Sequence, residues 1–222
     1  MCIRDSHPTF YANYIKFAII RTKPIKDVRM TAAIIGLGLM GGSLALAIEK
    51  LPMITTLIGF DHNKEHEAEA LKLKLVHKIV SFDEVKQADI IILAIPVDGI
   101  ISCMKELEGV SETTTIIDLG STKEKIVQSI PAALRKNVVA AHPMTGTEKF
   151  GPGAALDELY HDKVVVLCDL ENSGEHQQEI AVRLFSQIHM RLVYMKAHEH
   201  DLHVAFISHM PHLISYSLAN AV

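Results

Sequence analysis

The chain has 222 residues, 49% of them hydrophobic, and a formal net charge of −4 at pH 7. This length allows one large domain, or one domain with part of a second, and the apolar content allows a sizeable core without disulfides. Residues 1–29 hold six Lys/Arg and two Asp/Glu, which leaves 16 against 24, or −8, for the rest. An acidic main body argues against nucleic acid as a partner, and no apolar run reaches transmembrane length. The cysteines lack paired or metal-ligand spacing, which favours a reducing cytoplasm; they are Cys2, Cys103 and Cys168.

Residues 1–29 precede the first predicted strand and are dispensable to a sheet that begins just after Met30. The apolar core Phe17–Ile20 is too short for a signal peptide and has basic residues on both sides. The opening Met1–Ser6 resembles a translated sequencing-adapter remnant. We therefore expect residues 1–29 to be a non-native leader and Met30 to be the native start.

A glycine-rich turn follows the first strand. The apolar run at 32–35 ends in the pattern Gly-x-Gly-x-x-Gly and passes directly into a helical pattern at 43–50. This order predicts the start of a dinucleotide-binding βαβ unit. Gly36 permits the tight turn, Gly38 lets the backbone approach a pyrophosphate, and Gly41 lets the helix pack close to the strand. The predicted cofactor contacts at this turn are Gly36, Leu37, Gly38, Leu39, Met40 and Gly41.

An acidic residue ends the second predicted strand. Asp61 follows the run Leu57–Phe60 and lies 25 residues after Gly36. A carboxylate here accepts hydrogen bonds from the adenine-ribose hydroxyls and repels a 2′-phosphate, which predicts NAD rather than NADP. Lys64 leaves some tolerance of NADP. The alternative for Asp61 is a cap on the helix that begins near Asn63.

Strands and helices then alternate, which predicts an α/β fold with a Rossmann-type, doubly wound and mostly parallel sheet. Further strands are expected at 78–81, 89–96, 113–118, 138–141, 164–167 and 191–194, and helices at 63–74, 97–107, 121–130, 175–189 and from 198 onward. Ligands bind beyond the carboxyl ends of such strands. The glycine turn therefore converges with Ile95–Pro96 and Gly120–Ser121, and we predict cofactor contacts from Ile95, Pro96 and Gly120.

Two residues beyond these strand ends are candidates for chemistry. His142 follows strand 138–141, and histidine is the side chain best matched to proton transfer near neutral pH. Oxidation of a carbinol needs such a group to take up the hydroxyl proton, although a histidine hydrogen-bonded in a loop is an equal alternative. Ser121 either orients that histidine or a substrate hydroxyl, or caps the next helix, as Thr122 also can.

The segment Ser208–His212 places a proline inside a helical pattern, where it clashes with the carbonyl of Ile207 and kinks the helix. His209 and His212 are three residues apart and share a face at this kink. A metal site is one interpretation, but no closing Cys or Glu partner is evident, and we predict no metal. A core or surface role is the other alternative.

At these motifs the chain resembles the prephenate/arogenate dehydrogenases of tyrosine biosynthesis, over residues 31–222. The resemblance rests on the glycine turn with Gly42 and Ser43, and on Asp118–Lys123, His142–Glu148 and Ser208–His212. Members of that family more often have Ala at the position of Thr145 and Leu at that of Met210. Their C-terminal region, which completes a helical dimerisation domain and supplies an arginine for a substrate carboxylate, has no counterpart here.

The resemblance implies NAD-dependent oxidative decarboxylation of prephenate to 4-hydroxyphenylpyruvate by a homodimer. His142 would accept the ring hydroxyl's proton, and Ser121 would orient both groups. The implied substrate-binding residues are Ser121, Thr147, His209 and His212. Residues 30–196 would form the NAD-binding domain, and 197–222 the first helix of a truncated helical domain.

Three alternatives remain open at the level of sequence. The first is that the substrate is arogenate, because the same motifs fit arogenate and prephenate equally. A β-hydroxyacid dehydrogenase shares the Gly-Leu-Gly-x-Met-Gly turn but relies on a catalytic lysine, whereas the corresponding stretch here is histidine-rich. The third is an inactive fragment that retains NAD.

Overall fold

The computed structural model describes residues 29–219, except for the side chains of 208, 209 and 211–214. The predicted leader therefore lies almost wholly outside the described residues. The strands are β1 (Met30–Ile35), β2 (Ile54–Phe60), β3 (Lys78–Ile79), β4 (Ile90–Leu93), β5 (Thr115–Asp118), β6 (Val138–Pro143), β7 (Val164–Cys168) and β8 (Arg191–Met195). The α-helices are α1 (Leu39–Glu49), α2 (Lys64–Lys72), α3 (Phe82–Val85), α4 (Val97–Glu106), α5 (Glu124–Gln128), α6 (Glu175–Gln187), α7 (Ala197–Val204) and α8 (Met210–Ala219).

All eight strands form one sheet in the order β3-β2-β1-β4-β5-β6-β7-β8. The first six are parallel, and their order is that of a dinucleotide-binding doubly wound sheet, with the topological switch point between β1 and β4. β7 runs antiparallel to β6, and β8 runs parallel to β7. The predicted mostly parallel α/β fold is confirmed.

The central strands are buried on both faces because helices cover both sides of the sheet. Ile90–Leu93 of β4 is fully buried, as its continuous apolar run predicted. One core packs α1 and α6 against the sheet, and a second core on the opposite face packs α3, α4 and α5. This two-sided packing leaves the loops at the carboxyl ends of the strands to form a site.

Most predicted strands and helices differ by a few residues from the observed ones, α3 was not predicted, and two of the differences bear on the site. β6 continues through Pro143, because its end pairs with β7, His142 opposite Val166; His142 thus lies within the strand and not after it. The single C-terminal helix is divided by a π-helical turn at Ala205–His209. That turn ends two residues before Pro211, which lacks the N–H that a regular α-helix would require. Within residues 29–219, no helix has the length and apolar character needed to cross a membrane.

Candidate active site

The three glycines of the turn differ in what surrounds them. Gly36 has φ +93°, and a Cβ placed there would lie 2.4 Å from the carbonyl oxygen of Ala94. A Cβ on Gly41 would lie 1.8 Å from the carbonyl oxygen of Gly36. A Cβ on Gly38, by contrast, would meet nothing within 4 Å. The fold itself therefore requires the first and third glycines, whereas the second faces open space.

The open space at Gly38 lies at the beginning of α1, for which Gly38 is the N-cap residue. The first N–H groups of an α-helix have no carbonyl acceptor within the helix, and the helix dipole makes this end partly positive. Such an end favours a phosphate group. The turn therefore fits the pyrophosphate of a dinucleotide. The open space beside Gly38, which an added Cβ would fill, leaves room for it.

Asp61 lies directly beside this turn. It is 5% exposed; one carboxylate oxygen accepts the N–H of Leu37 at 2.8 Å, and the other accepts the N–H of Asn63 at 2.9 Å. The cap of α2 is instead Asn63, whose side chain accepts the N–H of Glu65. The alternative that Asp61 caps this helix with its side chain is therefore wrong. Asp61 joins the end of β2 to the glycine turn.

Several charged or titratable side chains surround Asp61. The Lys64 ammonium lies 2.8 Å from Glu67, whose other carboxylate oxygen accepts the N–H of Asp61. This lysine is thus already paired in the structure described here. The Nδ1 atoms of His62 and His66 each lie 3.5 Å from the Asp61 carboxylate, which the sequence patterns did not reveal.

A chain of three side chains contains His142. Its Nδ1 lies 2.8 Å from Nε2 of His200, and Nδ1 of His200 lies 2.7 Å from Oδ1 of Asp201. His200 is 1% exposed, whereas His142 is half-buried. Burial lowers the pKa of His200, against the opposing influence of the Asp201 carboxylate. His200 and Asp201 were not among the predicted site residues.

Asp201 also caps α5. Its carboxylate oxygens accept the N–H of Lys123 at 2.7 Å and the N–H of Glu124 at 2.9 Å. Burial acts to raise the pKa of Asp201, but these two N–H groups and His200 hold it below its usual range. The expectation that Ser121 or Thr122 caps this helix is wrong. The helix α5 begins at Glu124, and its first N–H groups donate to Asp201 of α7. The exposed Ser121 is not used as a cap.

A buried ion pair supports the strand ends beside His142. Lys123 and Asp118 are both fully buried, and the ammonium of Lys123 donates to the Asp118 carboxylate. The same ammonium donates to the carbonyl oxygen of Ala141 at 2.7 Å, and Asp118 also accepts the N–H of Gly120 at 3.1 Å. These contacts join the ends of β5 and β6 immediately before His142.

The remaining predicted site residues lie in three parts of the chain. Ile95 borders the glycine turn, since a Cβ on Gly36 would lie 2.7 Å from its Cγ2, and Pro96 precedes α4. Thr147 is exposed, and its hydroxyl accepts the N–H of Lys149 at 3.2 Å. The side chains of His209 and His212 lie outside the described residues. Among the residues described, no cluster of three or more His, Cys, Asp or Glu side chains has the arrangement of a metal site.

The family profile for the nucleotide-binding domain of prephenate dehydrogenase matches residues 44–194. Prephenate dehydrogenase of Bacillus subtilis is 34% identical over 202 residues, which are 88% of this chain and 54% of that protein. The chain therefore spans about half the length of that curated relative.

Two solved structures share the fold over most of the chain. Prephenate dehydrogenase of Aquifex aeolicus, in complex with hydroxyphenyl propionate and NAD+, has a TM-score of 0.81 at 30% identity, covering 86% of this chain and 68% of that one. Arogenate dehydrogenase of Synechocystis has a TM-score of 0.77 at 26% identity, covering 86% and 69%.

Proposed function

This chain belongs to the prephenate dehydrogenase family, and we propose that it binds NAD and supplies the general base for the oxidative decarboxylation of prephenate. The observation that carries the proposal is the position of His142. His142 lies near the carboxyl end of β6, and the glycine turn follows the carboxyl end of β1 at the same edge of the sheet. Nδ1 of His142 is hydrogen-bonded to His200. The substrate and the activity belong to the whole protein that carries this sequence.

The proposed cofactor is NAD, which supplies the hydride acceptor when bound. The N–H groups at the start of α1 would hold its pyrophosphate above Gly38. The Asp61 carboxylate would accept the adenine-ribose hydroxyls, and its charge disfavours the 2′-phosphate of NADP. The neighbouring pair of Lys64 with Glu67 supports this preference, because the lysine charge is already compensated.

His142 would act on the ring hydroxyl of prephenate. As hydride leaves the carbon that bears the hydroxyl, His142 takes the hydroxyl proton and the C–O bond becomes a carbonyl. The bond from the ring to its carboxylate then breaks, its electrons enter the ring, and carbon dioxide leaves. The aromatic ring regains a proton on oxygen from the His142 imidazolium, which gives 4-hydroxyphenylpyruvate. Ser121 is exposed and follows β5, the strand that pairs with β6, and it would orient the hydroxyl.

We also propose that the protein is a homodimer that associates through its C-terminal helical segment. Several large apolar side chains of this segment are exposed, which is costly for a surface in water. They are Leu202, Phe206, Ile207, Met210, Tyr216 and Leu218. Light scattering on the protein carrying this sequence tests this, and a monomer at micromolar concentration would contradict it.

The test of the reaction uses prephenate and arogenate with NAD and NADP, followed by absorbance of the reduced nicotinamide. We expect prephenate with NAD to be preferred, and His142→Asn to lower turnover by about 10²–10⁴-fold with unchanged NAD affinity. His198→Asn is the matched control, because His198 is an exposed histidine that pairs with Glu124. Absence of turnover with both substrates would refute the proposed reaction, and preference for arogenate would correct its substrate.

A further inference from the structure

We propose that His200 and Asp201 fix the tautomer of His142, so that its proton sits on Nδ1 and Nε2 carries the lone pair. The use of that lone pair as a base rests on the function proposed above, whereas the tautomer itself does not. His200 and Asp201 are positioning residues, since they act through His142.

The assignment starts from Asp201, because an ionised carboxylate can only accept hydrogen bonds. Nδ1 of His200, 2.7 Å away, must therefore be the donor. A neutral imidazole has one N–H, so Nε2 of His200 then carries the lone pair. The atom 2.8 Å from that lone pair, Nδ1 of His142, must donate in turn. The proton of neutral His142 is thus on Nδ1.

The neutrality of His200 follows from its surroundings. The ring is 1% exposed and lies within α7, beside the buried pair of Lys123 and Asp118 and next to Asp201. Burial disfavours its charged form. The stable arrangement is a neutral His200 that donates to Asp201 and accepts from His142.

The position of α7 keeps this arrangement rigid. The N–H of Ala197 donates to the carboxylate of Asp169 at 3.1 Å. Asp201 binds α5 through two further N–H groups. These contacts hold the helix on both sides of His200. The ring of His142 therefore meets an acceptor at a fixed position, and the tautomer is set before any ligand binds.

Nuclear magnetic resonance on the chain labelled with ¹⁵N-histidine measures the tautomer directly. Long-range ¹H–¹⁵N correlations distinguish a ring protonated on Nδ1 from one protonated on Nε2, and His142→Asn assigns the signal by its loss. We expect His142 to carry its proton on Nδ1. In His200→Leu the acceptor is gone, and the Nε2–H form should appear. In His200→Gln the amide oxygen replaces Nε2, and the Nδ1–H form should persist.

Turnover of prephenate provides the second measurement. His200→Leu should lower kcat by about 10²-fold or more with little change in KM, because the base is misoriented while binding remains. His200→Gln should retain most of the activity, and His198→Gln should retain all of it.

A wild-type His142 protonated on Nε2, or a tautomer unchanged in His200→Leu, would overturn the inference whatever the activity. If the tautomer behaves as expected but no variant or wild-type protein oxidises prephenate, the proposed function alone fails.

Discussion

The three glycines of the turn should separate folding from cofactor binding when each is replaced by alanine. Gly38 has φ −72° and ψ −160°, which any L-residue adopts, and its added Cβ meets no atom within 4 Å. Alanine there restricts the unfolded chain, a gain of about 0.4–1 kcal/mol. It is also a poorer N-cap than glycine, a loss of similar size. We expect the melting temperature of Gly38→Ala to stay near that of the wild type.

The methyl group of Gly38→Ala would nevertheless occupy the space proposed for the pyrophosphate. We expect NAD affinity to fall at least about tenfold, equivalent to about 1.4 kcal/mol. Titration calorimetry of the purified chain with NAD measures this loss.

Gly41→Ala should show the opposite behaviour. Its Cβ would lie 1.8 Å from the carbonyl oxygen of Gly36, so α1 must move by more than 1 Å to reach the 3.0 Å at which real contacts begin. Overpacking of this kind costs about 3 kcal/mol at its upper range. The higher helix propensity of alanine returns about 1 kcal/mol, which leaves about 2 kcal/mol of destabilisation. For a domain of this size the melting temperature should fall by about 4–8 °C.

The control for backbone strain is Gly109, which has φ +89° and an open surrounding away from the turn. Gly109→Ala should cost about 1–2 kcal/mol and leave NAD affinity unchanged. An unaltered NAD affinity in Gly38→Ala would refute the assignment of the pyrophosphate to this turn. An unaltered melting temperature in Gly41→Ala would refute the packing argument.

Three further outcomes are expected. In Asp61→Ser the repulsion of a 2′-phosphate is lost, so the ratio of NADP to NAD affinity should rise; an unchanged ratio would remove Asp61 from cofactor selection. Lys123→Met leaves the buried carboxylate of Asp118 uncompensated and should cost about 3–5 kcal/mol in urea unfolding, whereas Lys125→Met, which breaks an exposed pair, should cost at most about 1 kcal/mol. Because burial lowers the pKa of His200 in the folded state, the unfolded chain binds more protons below pH 6.5, and the free energy of unfolding should decrease as the pH falls through that range. His200→Leu should flatten this decrease in pH-dependent melts, and an equal slope in both proteins would contradict the argument.

Local patterns were sufficient to predict the nucleotide-binding half of the fold. The run at Ile90–Leu93 is buried on both faces, and such strands are read from continuous hydrophobicity without knowledge of their neighbours. The role of Gly41 likewise follows from its contact with Gly36 five residues earlier, and that of Gly36 follows in part from its own positive φ. The alternation of strands and helices then restricts the order of the strands, because parallel crossovers are right-handed.

The partners of His142 could not be predicted in this way. His200 and His142 are separated by 58 residues, and a histidine near the start of a helix carries no mark of burial in the sequence. The prediction of the α5 cap failed for the same reason, since the residue that accepts its N–H groups, Asp201, lies 77 residues from Glu124. The only available signal was the density of histidines at 198–203, which pointed to no specific contact.

The reversal of strand direction at β7 determines where the chain goes after the sheet. β8 ends at Met195, level with Cys168 and Ala140, two residues back along β6 from His142. α7 therefore begins below the site and returns past it, and its fourth residue is His200. Each residue added to or removed from this short connection would rotate the helix by about 100° and turn His200 away from His142. The length between β8 and His200 is thus fixed by the geometry of the site, and a natural or designed relative that alters it would need a new partner for the histidine.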